Sequence, residues 1–137
     1  RRAVGVDQST DALRLARSQV QGPGLGRCVF RRGDMYKLGF GAAEFDTVTL
    51  GRVLSHAQVP AAVLAEAVRV LRPGGRLVLI DDFDALEEAT GSNPIAGVRR
   101  WLAAAGFNCE RLRPIDTGTS HLLLTLARRP LPLKEAA

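Results

Sequence analysis

Residues 63–80 read Val63-Leu64-Ala65-Glu66-Ala67-Val68-Arg69-Val70-Leu71-Arg72-Pro73-Gly74-Gly75-Arg76-Leu77-Val78-Leu79-Ile80. Val63, Leu64, Ala67, Val68 and Leu71 recur at the spacing of a helix with one apolar face. Pro60 stands where a proline opens a helix. Pro73-Gly74-Gly75 ends that helix and turns the chain tightly, glycine being the residue that tolerates such a turn. Arg76-Leu77-Val78-Leu79-Ile80 then reads as a strand. A helix returning directly into an apolar strand is the repeating step of a parallel α/β sheet.

The same step appears on both sides of this stretch. Upstream, Val4-Gly5-Val6 is a short strand ending at Asp7, and Ser9, Thr10 and Asp11 are helix-start residues. Leu13, Ala16 and Val20 form the apolar side of the helix that follows. Cys28-Val29-Phe30 is a second strand, closed by Gly33-Asp34, and residues 35–43 read as a loop. Phe45 to Leu50 shows little polar alternation and is expected to be a strand covered on both faces. Downstream, Asp81 to Thr90 is acidic, with room for one or two helical turns. Asn93-Pro94 starts a helix whose expected buried face is Ile95, Val98, Trp101, Leu102 and Ala105, with Gly106 as its C-cap. Phe107–Leu112 and His121–Ala127 are two further strands, joined by a connection too short for a helical crossover and therefore antiparallel.

The 137 residues suit one compact domain. A hydrophobic content of 46% and a mean hydropathy of +0.02 argue for a folded soluble chain. No run approaches the roughly 18 apolar residues that span a bilayer, and no secretory signal follows Arg1-Arg2, so a cytoplasmic location is expected. Cys28 and Cys109 are too few for a disulfide framework, and neither has metal-ligand spacing. Nineteen basic against 14 acidic residues give +5, but the arginine pairs are dispersed and form no basic arm. With aromatics at 5% and no strand interleaving aromatic and basic residues, neither a nucleic-acid nor a membrane partner is expected.

Ligands of a parallel sheet sit beyond the carboxyl ends of its strands. Asp7 follows the first strand, where an acid can accept both hydroxyls of a ribose, and where it can equally start a helix. Asp34, in Gly33-Asp34-Met35, follows the second, where it can accept from an adenine amino group or simply form a turn. Gly51-Arg52 follows the third. His56, a little further on, is a candidate general base, or else a packing histidine. Asp81 and Asp82 end the next strand on the same side, either facing substrate or starting a helix in solvent. Tyr36 borders the second strand's loop, and His121 reads as structural.

In order and spacing these segments resemble the class I S-adenosylmethionine-dependent methyltransferases, especially the small-molecule group related to quinone-ring methylases. Val4-Gly5-Val6-Asp7-Gln8-Ser9 is similar to that family's second-strand motif, and Leu13-x-x-Ala16-Arg17 to the helix after it. Gly33-Asp34-Met35 with Leu38, Phe40, Phe45 and Asp46 resembles the adenine-side loop, and Val53-Leu54-Ser55-His56 the segment after the following strand. Leu64-x-Glu66-x-x-Arg69-Val70-Leu71-Arg72-Pro73-Gly74-Gly75-Arg76-Leu77 is the most specific match, and Ala105-Gly106-Phe107 resembles the approach to the penultimate strand. The resemblance covers roughly residues 3–127. It implies a Rossmann-like three-layer α/β sandwich, mostly parallel with an antiparallel last strand. It also implies S-adenosylmethionine as cofactor, held by Asp7, Gln8, Asp34, Met35, Gly51 and Arg52, with His56 as base and a small-molecule oxygen, nitrogen or carbon nucleophile as acceptor. No metal is implied.

The family's first strand, its Gly-rich loop and the first helix have no counterpart in these residues. Gly22-Pro23-Gly24-Leu25-Gly26 spells a glycine-rich pattern, but it follows a helix and precedes a strand, the reverse of a cofactor loop. The expected organisation is thus a partial methyltransferase domain over 1–129, from the second strand onward, and a tail over 130–137. A further segment or a second copy would then complete the sheet between the strands ending at Asp7 and Leu50. Two alternatives stay open at this point: a non-catalytic fragment or remnant of the same fold, and a nicotinamide-dependent Rossmann oxidoreductase, whose ribose Asp7 would suit equally well.

Overall fold

A computed structural model describes residues 2–20 and 27–133. The glycine-rich stretch 22–26 and the end of the expected tail, 134–137, lie outside the described residues. The chain divides into two compact units, residues 1–39 and 40–137.

The first unit is one β–α–β step. Strand β1 (Ala3–Asp7) pairs in parallel with β2 (Cys28–Arg32), in register from Ala3–Cys28 to Asp7–Arg32. Helix α1 (Thr10–Gln19) connects them. Its N-cap is Ser9, whose Oγ accepts the Ala12 amide at 3.1 Å, and Asp11 in the first turn complements the helix dipole. Leu13 is the single fully buried apolar side chain of this unit among the described residues. Gly5 is bare because Phe30 lies across it: a Cβ there would sit 2.7 Å from the Phe30 ring.

The second unit is a four-stranded sheet in the order β3–β4–β6–β5. Strand β3 (Phe45–Gly51) leads through a 3-10 turn (Leu54–His56) into α2 (Pro60–Val70), with Pro60 in its first turn. Strand β4 (Leu71–Asp82) runs parallel to β3. Helices α3 (Phe83–Thr90) and α4 (Pro94–Ala105) follow, then β5 (Asn108–Asp116) and β6 (His121–Arg128). Strand β6 is antiparallel to both neighbours, so β3, β4 and β5 share one direction and β6 alone runs against them. Gly106 caps α4 at φ 91°, the left-handed geometry that glycine adopts freely.

Pro73-Gly74-Gly75 does not separate helix from strand as the sequence suggests; it lies inside β4. The register steps from Phe45–Leu71 to Thr47–Arg76, so Arg72 to Gly75 bulge opposite Asp46. The bulge is sewn to the end of β6: the Gly74 amide donates to the Arg129 carbonyl at 2.8 Å, and the Arg129 amide to the Gly75 carbonyl at 2.9 Å. The Arg129 guanidinium reaches back to the carbonyls of Val68 and Leu71, satisfying acceptors that the end of α2 leaves open.

The core of this unit is aliphatic. Leu64, Leu71, Leu77 and Leu102 are fully buried, with Val63, Val70, Leu86, Val98 and Leu123 beside them. Two expectations fail here. Strand β3 is not covered on both faces: Val48 and Leu50 are half-buried while Thr47 and Thr49 are exposed, the one-sided pattern of an edge strand. Trp101 is half-buried rather than core; Pro94 and Gly97 join Val98 and Leu102 on the inner side of α4. Gly97 is there because α3 comes too close for a side chain, Thr90 Cγ2 standing 2.4 Å from where a Cβ would be.

Candidate functional site

On the first unit, Asp7 and Asp34 meet at the carboxyl end of the β1–β2 ladder. The Gly33 amide donates to the Asp7 carbonyl at 3.0 Å, which places the Gly33-Asp34 corner beside Asp7. Both acids are exposed and both use one carboxyl oxygen locally. Asp7 Oδ1 accepts the Ser9 amide at 2.8 Å, and Asp34 Oδ1 accepts the Tyr36 amide at 2.8 Å. These are Asx turns, which aim each carboxyl off the end of its strand. Gly33 is constrained as well: a Cβ would lie 2.7 Å from Val6 Cγ1. Gln8 is exposed next to Asp7, and Met35 and Tyr36 are half-buried in the turn after Asp34. The turn-forming reading of the two acids is thus realised, and each keeps a second carboxyl oxygen outside its Asx turn.

On the second unit, Gly51 ends β3, and a Cβ built on it would meet nothing within 4 Å. Arg52 follows in the left-handed conformation at φ 55°, which non-glycine residues rarely adopt. Its amide donates to the Ile80 carbonyl at 2.8 Å, and its side chain is exposed. His56 closes the 3-10 turn and is exposed. His121 is also at this end; its ring stacks on Phe83 with centroids 4.3 Å apart.

Of the two acids ending β4, expected either to face substrate or to start a helix in solvent, Asp82 does start a helix and Asp81 does neither. Asp82 is the N-cap of α3, its Oδ1 accepting the Ala85 amide at 3.0 Å. Asp81 is buried, and its carboxylate is occupied by Ser55: Oδ1 accepts the Ser55 hydroxyl at 2.6 Å and Oδ2 the Ser55 amide at 3.0 Å. Sequence reasoning missed this pair, although its signal was present. Leu77, Leu79 and Asp81 alternate along β4 and share one face, so Asp81 occupies an inward position that demands hydrogen-bond donors.

Parallel strands joined through helices, in each of the two units, define a Rossmann-like α/β class of protein. A family model described as a methyltransferase domain matches residues 1–79. The chain belongs to that family, the class I S-adenosylmethionine-dependent methyltransferases.

Among relatives, the chain is 36% identical over 131 residues to the phthiotriol/phenolphthiotriol dimycocerosates methyltransferase 1 of Mycobacterium ulcerans, covering 94% of this chain and 46% of that protein. It is 34% identical over 80 residues to the demethylmenaquinone methyltransferase of Lactococcus lactis, covering 58% of this chain and 32% of the relative. The solved structure of an S-adenosylmethionine-dependent methyltransferase from Methanosarcina mazei superposes with a TM-score of 0.73 at 21% identity, covering 94% of this chain and 82% of that one. That likeness shows the fold. The chain spans less than half the length of the curated relatives it matches. No helix among the described residues is long and apolar enough to cross a membrane.

Proposed function

We propose that this chain binds S-adenosylmethionine and directs its methyl group to an oxygen, nitrogen or carbon nucleophile of a small molecule in the cytoplasm. The observation that carries the reading is the Asp7–Asp34 corner: two exposed carboxylates held by Asx turns at one end of a parallel ladder. This pair of acceptors suits a nucleoside. In this reading Asp7 accepts from the ribose hydroxyls, with Gln8 beside it, and Asp34 accepts from the adenine amino group while Met35 packs against the ring. Gly51 and Arg52 are assigned to the same cofactor on the family resemblance of the sequence alone, Arg52 as the partner of its carboxylate.

When bound, the cofactor supplies a methyl group already activated on a sulfonium. The residues therefore need only orient and, for a protic nucleophile, remove a proton. His56, exposed beyond β3, is assigned that proton. The relatives named for demethylmenaquinone and for phthiotriol dimycocerosates support a small-molecule acceptor.

Isothermal titration of the chain with S-adenosylhomocysteine tests the reading. Binding is expected, and Asp7→Ala should weaken it by about 1.5–3 kcal/mol, the worth of a hydrogen bond to a charged group. No heat at high micromolar ligand sinks the claim. An unchanged affinity in the variant removes Asp7 from the site.

A further inference from the structure

We infer that Asp81, acting through Ser55, is a positioning residue for the segment Arg52–His56; the inference rests on the roles given above to Arg52 and His56. The segment is pinned at three places to the end of β4 and the core beneath it. The Arg52 amide donates to Ile80, Leu54 is buried, and Ser55 gives both its amide and its hydroxyl to Asp81. Asp81 Oδ1 also accepts the Asp82 amide at 2.8 Å, and Asp82 caps α3. One carboxylate thus ties the segment after β3 to the first turn of α3.

Packing alone does not call for an acid at this position. Asp81 borders a small cavity whose walls include Leu54, Leu79, Leu86, Val98 and Leu123. A leucine would continue the Leu77–Leu79 face, and replacing both partners of a buried hydrogen bond by apolar groups of the same shape can be nearly neutral. The pair instead supplies direction. Its short 2.6 Å O–H···O contact, with the amide bond beside it, fixes the 3-10 turn in one orientation. The two exposed side chains at the ends of the pinned segment, Arg52 and His56, take their position from it.

The test uses the full chain with Ser55→Ala, Ser55→Thr and Asp81→Asn. Three quantities are read: amide exchange over residues 53–57, S-adenosylhomocysteine affinity, and the melting temperature. In Ser55→Ala, exchange at residues 55 and 56 should rise about tenfold and affinity should fall about threefold or more, the scale of one lost hydrogen bond. Ser55→Thr, which keeps the hydroxyl, should restore both. Asp81→Asn should be at least as affected as Ser55→Ala, because its amide nitrogen faces a donor. A merely structural pair would lower the melting temperature and leave the affinity at the wild-type value, and that result overturns the inference. Wild-type chain that fails to bind S-adenosylhomocysteine overturns the cofactor reading itself. Wild-type binding matched by Ser55→Ala overturns only the positioning role. If Ser55→Ala melts below the assay temperature, Ser55→Thr against Asp81→Asn makes the same comparison.

Discussion

Replacing Gly75 by alanine is the sharpest test of how the β4 bulge is packed. A Cβ at Gly75 would stand 2.7 Å from the Arg72 carbonyl oxygen, 3.1 Å from the Asp46 carbonyl oxygen and 3.0 Å from Leu71 Cδ2. Two of these neighbours are backbone, and neither is loose. Asp46 lies within β3, and the Gly75 carbonyl is itself held by the Arg129 amide. Relief must therefore come from shifting the Arg72 peptide within the bulge and moving β3 against β4, a small-to-large insertion costing about 1–3 kcal/mol. Alanine recovers about 0.4–1 kcal/mol by stiffening the unfolded chain. Taking the middle of each range, the net loss is about 1.3 kcal/mol. With a urea slope of about 2 kcal/mol per molar, the midpoint should fall by about 0.5–1 M at constant slope. Fluorescence of Trp101, the sole tryptophan, reports on this unit. Gly41→Ala is the control: its Cβ would meet nothing closer than 3.6 Å, and its midpoint should stay at or slightly above wild type. If Gly75→Ala unfolds together with that control, the close packing of the bulge on Asp46 is wrong.

Further outcomes follow from the same geometry. Arg52→Gly removes the strain of φ 55°, so stability should rise or stay within about 1 kcal/mol of wild type while S-adenosylhomocysteine affinity drops; a clear fall in the melting temperature would refute the claim of strain. Gly97→Ala should destabilise by about 1–3 kcal/mol, because Thr90 cannot retreat without breaking its hydrogen bonds to Leu86 and Ser92; an unshifted urea midpoint would show that the two helices part easily. Amides of β1 and β2 should exchange faster than those of β4 and β6, since among the described residues the first unit buries only the Leu13 side chain and the second a continuous core. S-adenosylhomocysteine should slow that exchange; equal protection of both units without ligand contradicts the packing described.

Elements with strong local signals were readable from the sequence. Ser9 and Asn93 cap the helices they were expected to start, and Gly106 ends α4. The antiparallel pairing of the last two strands followed from their short connection. What escaped depended on context that no window contains. Thr47 and Thr49 suit any strand surface, so β3 looked uniformly coverable when its burial in fact alternates. Pro73-Gly74-Gly75 carries the chemistry of a turn, but only pairing with Asp46 and Arg129 makes it a bulge within a strand. Acidity left Asp81 either facing substrate or starting a helix in solvent, whereas it is buried on Ser55, 26 positions away. For the site, the positions of Asp7 and Asp34 were readable because strand ends are local; the mutual arrangement of Ser55 and Asp81 was not.

The place of β6 bears on how the second unit comes into being. It is the last strand of the sheet in chain order, yet it lies between β4 and β5. The Arg129 side chain that follows it reaches the Val68 carbonyl across 61 positions. Along a growing chain, α2 and β4 emerge well before the strand that pairs with β4 and the arginine that closes the helix end. Until residues 121–129 are made, β4 presents an unpaired apolar edge, and β5 has no neighbour at all. Assembly of the sheet is then a late, non-local event, slow relative to helix formation and open to mispairing while it waits. A chain released before His121 would keep most of its sequence and lose the strand that makes the four strands one sheet.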